Sequence, residues 1–135
     1  MQHYLIVWTF PTVEGSWESC PGFADYINAG GPGDCFEGFQ LKYRVCEPIS
    51  GSGVAIAAAT DIGKVWTHLG PWIKGYGIHF EVTAVVTDAE FASMWPGVAA
   101  VVDRLALQTM SHQKKPRLRT GLPVEQGDPG FETPA

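Results

Sequence analysis

The first apolar run, residues 3 to 10 (HYLIVWTF), is rich in β-branched and aromatic side chains with almost no polar break, which predicts a strand buried on both faces. Pro11 ends it. From Val13 to Ala29 the positions Trp17, Cys20, Phe23, Ala24 and Ile27 recur at helical spacing, and Pro21-Gly22 predicts a kink or a late start. The run Gly30-Gly31-Pro32-Gly33-Asp34 combines residues that tolerate positive φ with one that fixes φ, so it reads as a turn or flexible loop. Beyond it Phe39, Leu41, Tyr43 and Val45 alternate with Gln40, Lys42, Arg44 and Cys46, the period-two pattern of a strand with one wet face. A turn over residues 49–53 and a strand of small residues from Val54 to Thr60 complete a hairpin.

The stretch from Asp61 to Ile73 sets Ile62, Val65, Trp66, Leu69, Trp72 and Ile73 on one helical stripe behind Thr60 or Asp61 as N-cap, with a stop or kink expected at Gly70-Pro71. Ile78 to Val86 is a strand, with Ile78, Phe80, Val82 and Ala84 against His79, Glu81 and Thr83. Thr87 and Glu90 have the spacing of a capping box. The helix it opens carries Phe91, Met94, Trp95, Val98, Val101, Val102 and Leu105, with a bend expected at Pro96. From about Ser111 there is no period, so residues 1–110 are expected to form one domain and 111–135 a Pro/Gly-rich basic tail.

Strand, helix, strand, strand, helix, strand is the order of an α+β, ferredoxin-like βαββαβ sheet with helices on one face, here followed by an added C-terminal helix. The other face would leave a large apolar patch on a lone chain. A second copy is the expected cover, which makes the chain a homodimer of the dimeric α/β-barrel type.

The opening HYLIVWTF, the strand FEGFQLKYRV and above all THLGPWIKGYGIHFEVTAVVTDAEF resemble a mainly bacterial family, well represented in cyanobacteria, of small ferredoxin-like proteins known only as a domain of unknown function. The resemblance spans roughly residues 1 to 95 and is most specific from Pro71-Trp72 through Gly77 to the Thr-Asp-Ala-Glu-Phe helix start. It implies a fold related to the dimeric α/β barrels and supplies no established activity or catalytic residue.

Hydrophobic residues make up 45% of the 135 and charged residues 17%, enough for a core and too little charge for a disordered chain. With 9 basic against 14 acidic residues, a nucleic-acid partner is not expected. The longest apolar runs fall far short of the roughly 20 residues that cross a bilayer, so no membrane partner is expected either. The start lacks the basic and apolar regions of a signal peptide, and Cys20, Cys35 and Cys46 fit neither a CxxC zinc site nor a secreted disulfide framework. Reduced thiols and a cytoplasmic location are the expectation. The 4 basic and 11 acidic residues of positions 1–103 contrast with 5 basic and 3 acidic beyond. Lys114, Lys115, Arg117 and Arg119 of that basic end are candidates for docking on an acidic protein partner or on the protein's own acidic body.

Among side chains that carry chemistry, His79 and Glu81 leave one face of their strand, and Lys42 and Arg44 share a face of theirs, where they could hold a carboxylate or phosphate. If all four line one cavity, they form a site for a small anionic ligand. His3 could join His79 and Glu81 at a metal, and His68 could ligate a haem, but two-residue spacing and a lone histidine support neither, so no metal and no cofactor is expected. Cys46, beside the Arg44 cation, lacks a partner histidine and is not expected to be catalytic. The five tryptophans read as core. There is no GxGxxG, P-loop, GxSxG or HExxH, and the glycine loop precedes a strand whereas phosphate loops precede a helix. Two function classes follow. One is a small homodimeric binding or interaction protein without catalysis, which is favoured. The other is a small-molecule enzyme of the cofactor-free monooxygenase or isomerase type.

Overall fold

A computed structural model describes the backbone of residues 1–113 and the side chains of residues 1–111. The chain forms two compact units, Met1–Ala89 and a second beginning at Glu90. The first holds five strands and two helices in the order β1 (Gln2–Thr9), α1 (Val13–Asn28), β2 (Cys35–Phe36), β3 (Phe39–Glu47), β4 (Ser52–Ala59), α2 (Ile62–Tyr76) and β5 (His79–Val85). The long helix α3 (Asp88–Gln113) begins immediately after Thr87.

The sheet runs β2-β3-β4-β1-β5, with β1 antiparallel to both β4 and β5 and β3 antiparallel to β4. Without the two-residue β2, this is the ferredoxin-like βαββαβ sheet that the order of elements predicts. Tyr4 and Ile6 of β1 are buried with Val65 and Leu69 of α2, and Trp8, Phe80 and Val82 pack against that cluster, which defines the helix side of the sheet. Register does the rest: Tyr4, Ile6 and Trp8 stand opposite Ala57, Ala55 and Gly53 of β4. Every β4 residue on the helix side is therefore alanine or glycine, so the centre of the sheet supplies little volume of its own. Trp8 fills part of that space, since a Cβ on Gly53 would fall inside its indole ring.

Thr12 caps α1 by accepting from the Gly15 N–H at 2.9 Å, and Asp61 caps α2 by accepting from the Lys64 N–H at 3.1 Å. Neither helix breaks at its proline. Pro21 and Pro71 remove the bonds that would reach the carbonyls of Trp17 and Thr67, and both of those residues lie on exposed faces where water can serve instead. Helix α2 thus runs past Gly70-Pro71 to Tyr76 and ends on Gly77 in the left-handed conformation at φ 66°. The buried face of α1 also differs from the apolar stripe of the sequence. Ser16 and Ser19 are buried, whereas Trp17 is 78% exposed. On α2, His68 is buried and Trp66 is 72% exposed, so Trp17 and Trp66 are not core residues.

A bulge in β3 changes the site expectation most. Leu41 pairs with Ala57 and Tyr43 with Ile56, so Lys42 is one extra residue without a partner on β4. A one-residue insertion flips every later side chain to the other face. Phe39 and Leu41 face the helices, but beyond the bulge Arg44 and Cys46 do, opposite Ala55 and Gly53. Tyr43 and Val45 turn outward, 66% and 46% exposed.

Candidate functional site

Between the helices and the sheet lies a cavity of about 110 Å³. Ile6, Leu41 and Ala55 form its floor on the sheet, and Phe23, Leu69 and Trp72 wall it from the helices. The small side chain of Ala55, on the helix side of β4, leaves room between Ile6 and Leu41 beneath the rings of the helices. Glu47, the exposed last residue of β3, and Pro48, exposed in the turn after it, also line the cavity. The lining is almost wholly apolar, as in ligand cavities that hold an apolar body and fix its orientation with a few polar groups.

Ser16, Ser19, Glu47, Ser52 and Tyr76 also line it, but Arg44 and His68 are the two polar side chains that a network built from the glycine loop positions. Tyr26, near the end of α1, donates its hydroxyl to Asp34 Oδ1 at 2.8 Å and accepts the Gly33 N–H at 2.9 Å. Arg44 Nη2 donates to the same Asp34 oxygen at 2.7 Å, in an ion pair whose side chains are 15% and 21% exposed. Its guanidinium lies 5.4 Å from the centre of the Phe23 ring. Gly30 and Gly31 adopt φ of 90° and 59°, and the Asp34 carboxylate occupies the place a Cβ on Gly31 would take. The loop is thus wound tightly enough to aim both Asp34 and the Gly33 carbonyl inward.

That carbonyl receives His68 Nδ1 at 2.9 Å. A carbonyl only accepts, so Nδ1 carries the proton and Nε2 holds a lone pair. Burial pushes the His68 pKa down, against the smaller upward pull of the Gly33 bond and of Asp34, which keeps the ring neutral near pH 7. Phe39 stacks on it with ring centres 4.4 Å apart. Burial also raises the Tyr26 pKa, with the bond to Asp34 acting in the same direction, so this phenol stays a donor. The Cys46 thiol is pushed up by burial, which outweighs the lowering effect of Arg44, and a thiol held protonated is a poor nucleophile.

The four residues expected to converge are divided between the two sides of the sheet. Arg44 lies on the helix side, while His79 and Glu81 stand opposite Thr9 and Val7 on the exposed side of the edge strand β5. Lys42 is exposed at the bulge on β3, with β4 and β1 between it and β5, a separation of about 14 Å at ordinary strand spacing. The single cavity expected for all four is therefore not formed: the bulge turns Arg44 to the helix side, and the strand order keeps Lys42 from His79 and Glu81. The metal grouping fails by register as well: His3 pairs with Val85, at the far end of β5 from His79. Among the described residues no group of three or more His, Cys, Asp or Glu side chains could hold a metal ion. Lys114, Lys115, Arg117 and Arg119 lie outside the described residues.

Periodicity did not find Asp34, Tyr26 or the role of His68. The one available signal was a charged residue closing a glycine run directly before a strand, where an acidic side chain can reach inward only if something pairs with it.

Fold and cavity together define a ferredoxin-like α+β domain with a partly open, largely apolar pocket on the helix side of its sheet. The family model for a domain of unknown function, DUF3303, matches residues 2–99, and the chain belongs to that family. No curated protein and no solved structure matches it. Among the described residues no helix is long and apolar enough to cross a membrane.

Proposed function

We propose that this domain is a cytoplasmic small-molecule-binding protein that takes a compact apolar molecule into the cavity between helices and sheet. The observation that carries the reading is the pairing of a nearly all-apolar lining with two polar side chains, Arg44 and His68, each fixed from behind by a hydrogen bond. A void that merely reflected loose packing would have no reason to be served by a hydrogen-bonded network of Tyr26, Gly33, Asp34, Arg44 and His68. The volume of about 110 Å³ is of the order of the roughly 150 Å³ cavity that holds one benzene ring, so a single ring or a short branched chain is the right size. Binding, not catalysis, is the favoured role, because Arg44, Asp34 and Tyr26 are engaged with one another.

Thermal unfolding of the full chain with and without toluene tests this. A ligand that binds the folded state at about 100 times its Kd adds about 2.7 kcal/mol, a rise of several degrees. Ala55→Leu, which puts a side chain into the floor of the cavity, should abolish that rise while the protein still unfolds cooperatively. No rise in the native protein, or the same rise in the variant, contradicts the reading.

The exposed side of the sheet supports a second element of the proposal, a homodimer. Leu5, Val7, Ile56, Val54, Tyr43 and Val45 alternate onto that side by register, and Val54 is 38% exposed although it lies on an inner strand. Four long strands of about eight residues, about 4.8 Å apart, present a face of roughly 500 Å². Pairing two such faces covers on the order of 1,000 Å², which is what a specific interface requires. Light scattering should give twice the chain mass at micromolar concentration. A monomer there removes this element and leaves the cavity reading intact.

A further inference from the structure

The polar end of the cavity specifies more than size. His68 Nδ1 is committed to the Gly33 carbonyl, so Nε2 of the neutral ring can act only as an acceptor. It makes no hydrogen bond among the described residues, although the side chain is 93% removed from solvent and lines the cavity. Arg44 uses one nitrogen, Nη2, for Asp34, and its other guanidinium N–H groups make no hydrogen bond among the described residues. Among the side chains that line the cavity, His68 thus offers an acceptor and Arg44 several donors, both from fixed positions, beside the hydroxyls of Ser16, Ser19, Ser52 and Tyr76.

We infer that the ligand is a small neutral aromatic alcohol, a single ring whose hydroxyl donates to His68 Nε2 and whose oxygen accepts from Arg44. Three observations select this class. The walls are aromatic, with Phe23 and Trp72 meeting edge to face at 5.7 Å and Trp8 on the sheet below, so a flat ring fits between faces and edges. The charge on Arg44 is already balanced by Asp34 at 2.7 Å, which leaves its remaining donors suited to a neutral oxygen and removes the main attraction for an anion. A carboxylate would also set its lone pairs against the lone pair of Nε2. A hydroxyl is the smallest group that satisfies an acceptor and a donor with one atom. A methyl ether satisfies only the donor, and a hydrocarbon satisfies neither.

This inference rests on the cavity being the binding site, and a comparison of four probes separates the two claims. Calorimetric titration of the full-length protein with toluene, anisole, phenol and benzoate should give measurable binding for the first three, with phenol about tenfold tighter than anisole or toluene. His68→Phe keeps the stacked ring on Phe39 while removing the acceptor, so it should bring phenol down to the level of anisole and leave toluene within about threefold of the native value. Equal affinities for phenol, anisole and toluene in the native protein overturn the inference and keep the cavity as an apolar site. Benzoate binding more tightly than phenol also overturns it, in favour of an anionic ligand. If no probe binds, the cavity reading itself falls, and the inference with it. The probe ranking in the native protein decides the matter even if the variant does not fold.

Discussion

The two faces of one sheet are made by the same strands and have opposite solutions to the problem of what covers a strand. On the helix side β4 contributes only Gly53, Ala55, Ala57 and Ala59, and the volume comes from Trp8, Phe39 and the helices, with a cavity left where they do not meet. On the other side the same strand contributes Val54 and Ile56, flanked by Val7, Tyr43 and Val45, and the residues stand unhollowed and partly exposed. A face that surrenders side-chain volume at its centre makes room for a guest, whereas one lined with β-branched residues is shaped to meet another flat surface.

The comparison can be broken most forcefully at Gly53. Gly53→Val sets a branched side chain inside the space of the Trp8 indole, which must shift, and should cost about 3 kcal/mol in urea unfolding. On the opposite face of the same strand, Val54→Thr should cost under about 1 kcal/mol, because that side chain is 38% exposed. Similar costs at the two positions would mean that the two sides of β4 do not differ in packing.

Asp34→Ala comes next. It removes the partner of Arg44 and of the Tyr26 hydroxyl together and should lower stability by about 2 kcal/mol, since the ion pair is mostly shielded from solvent. Asp34→Ala combined with Arg44→Met should recover part of that loss, because no charge is then left unpaired. Strict additivity of the two would show that the pair does not interact.

Val54→Asp tests the open face through assembly. A carboxylate in the middle of a paired apolar surface should convert dimer to monomer in sedimentation at micromolar concentration, and the unfolding midpoint should fall by the contribution of association while unfolding stays cooperative. A dimer that survives this change is not built on this face.

The smallest effect is a dependence on pH. Burial lowers the His68 pKa below its unfolded value of 6.5, so between the two values the unfolded chain binds more protons than the folded one. Stability is then full above pH 6.5 and is lost as pH falls through the folded pKa. His68→Phe should flatten the part of the stability profile just below pH 6.5, and an unchanged profile would mean that this ring does not carry the dependence.

The sequence was informative where a single rule decided the outcome. A period of two placed β3 and β5, unbroken runs of apolar and small residues placed β1 and β4, a period of 3.6 placed both helices of the sheet domain, and the order of elements set the topology. It was uninformative where a tertiary constraint overrode a local one. Nothing in the residues around Lys42 marks a bulge, and that one extra residue moved Arg44 and Cys46 to the other face of the sheet. The prolines misled for a related reason, since their cost depends on whether water can reach the abandoned carbonyl. His68 was legible as a histidine beside an apolar stripe, but its burial depends on a glycine loop 35 residues earlier in the chain.

The most direct test of the central claim is a two-dimensional amide NMR titration of the full chain with phenol. Shifts are expected at Ile6, Leu41, Ala55, His68 and Leu69, all on the helix side, with Val45 and Val54 unmoved. Shifts concentrated at Val45, Val54 and their neighbours on the open face, or none at saturating phenol, would contradict it.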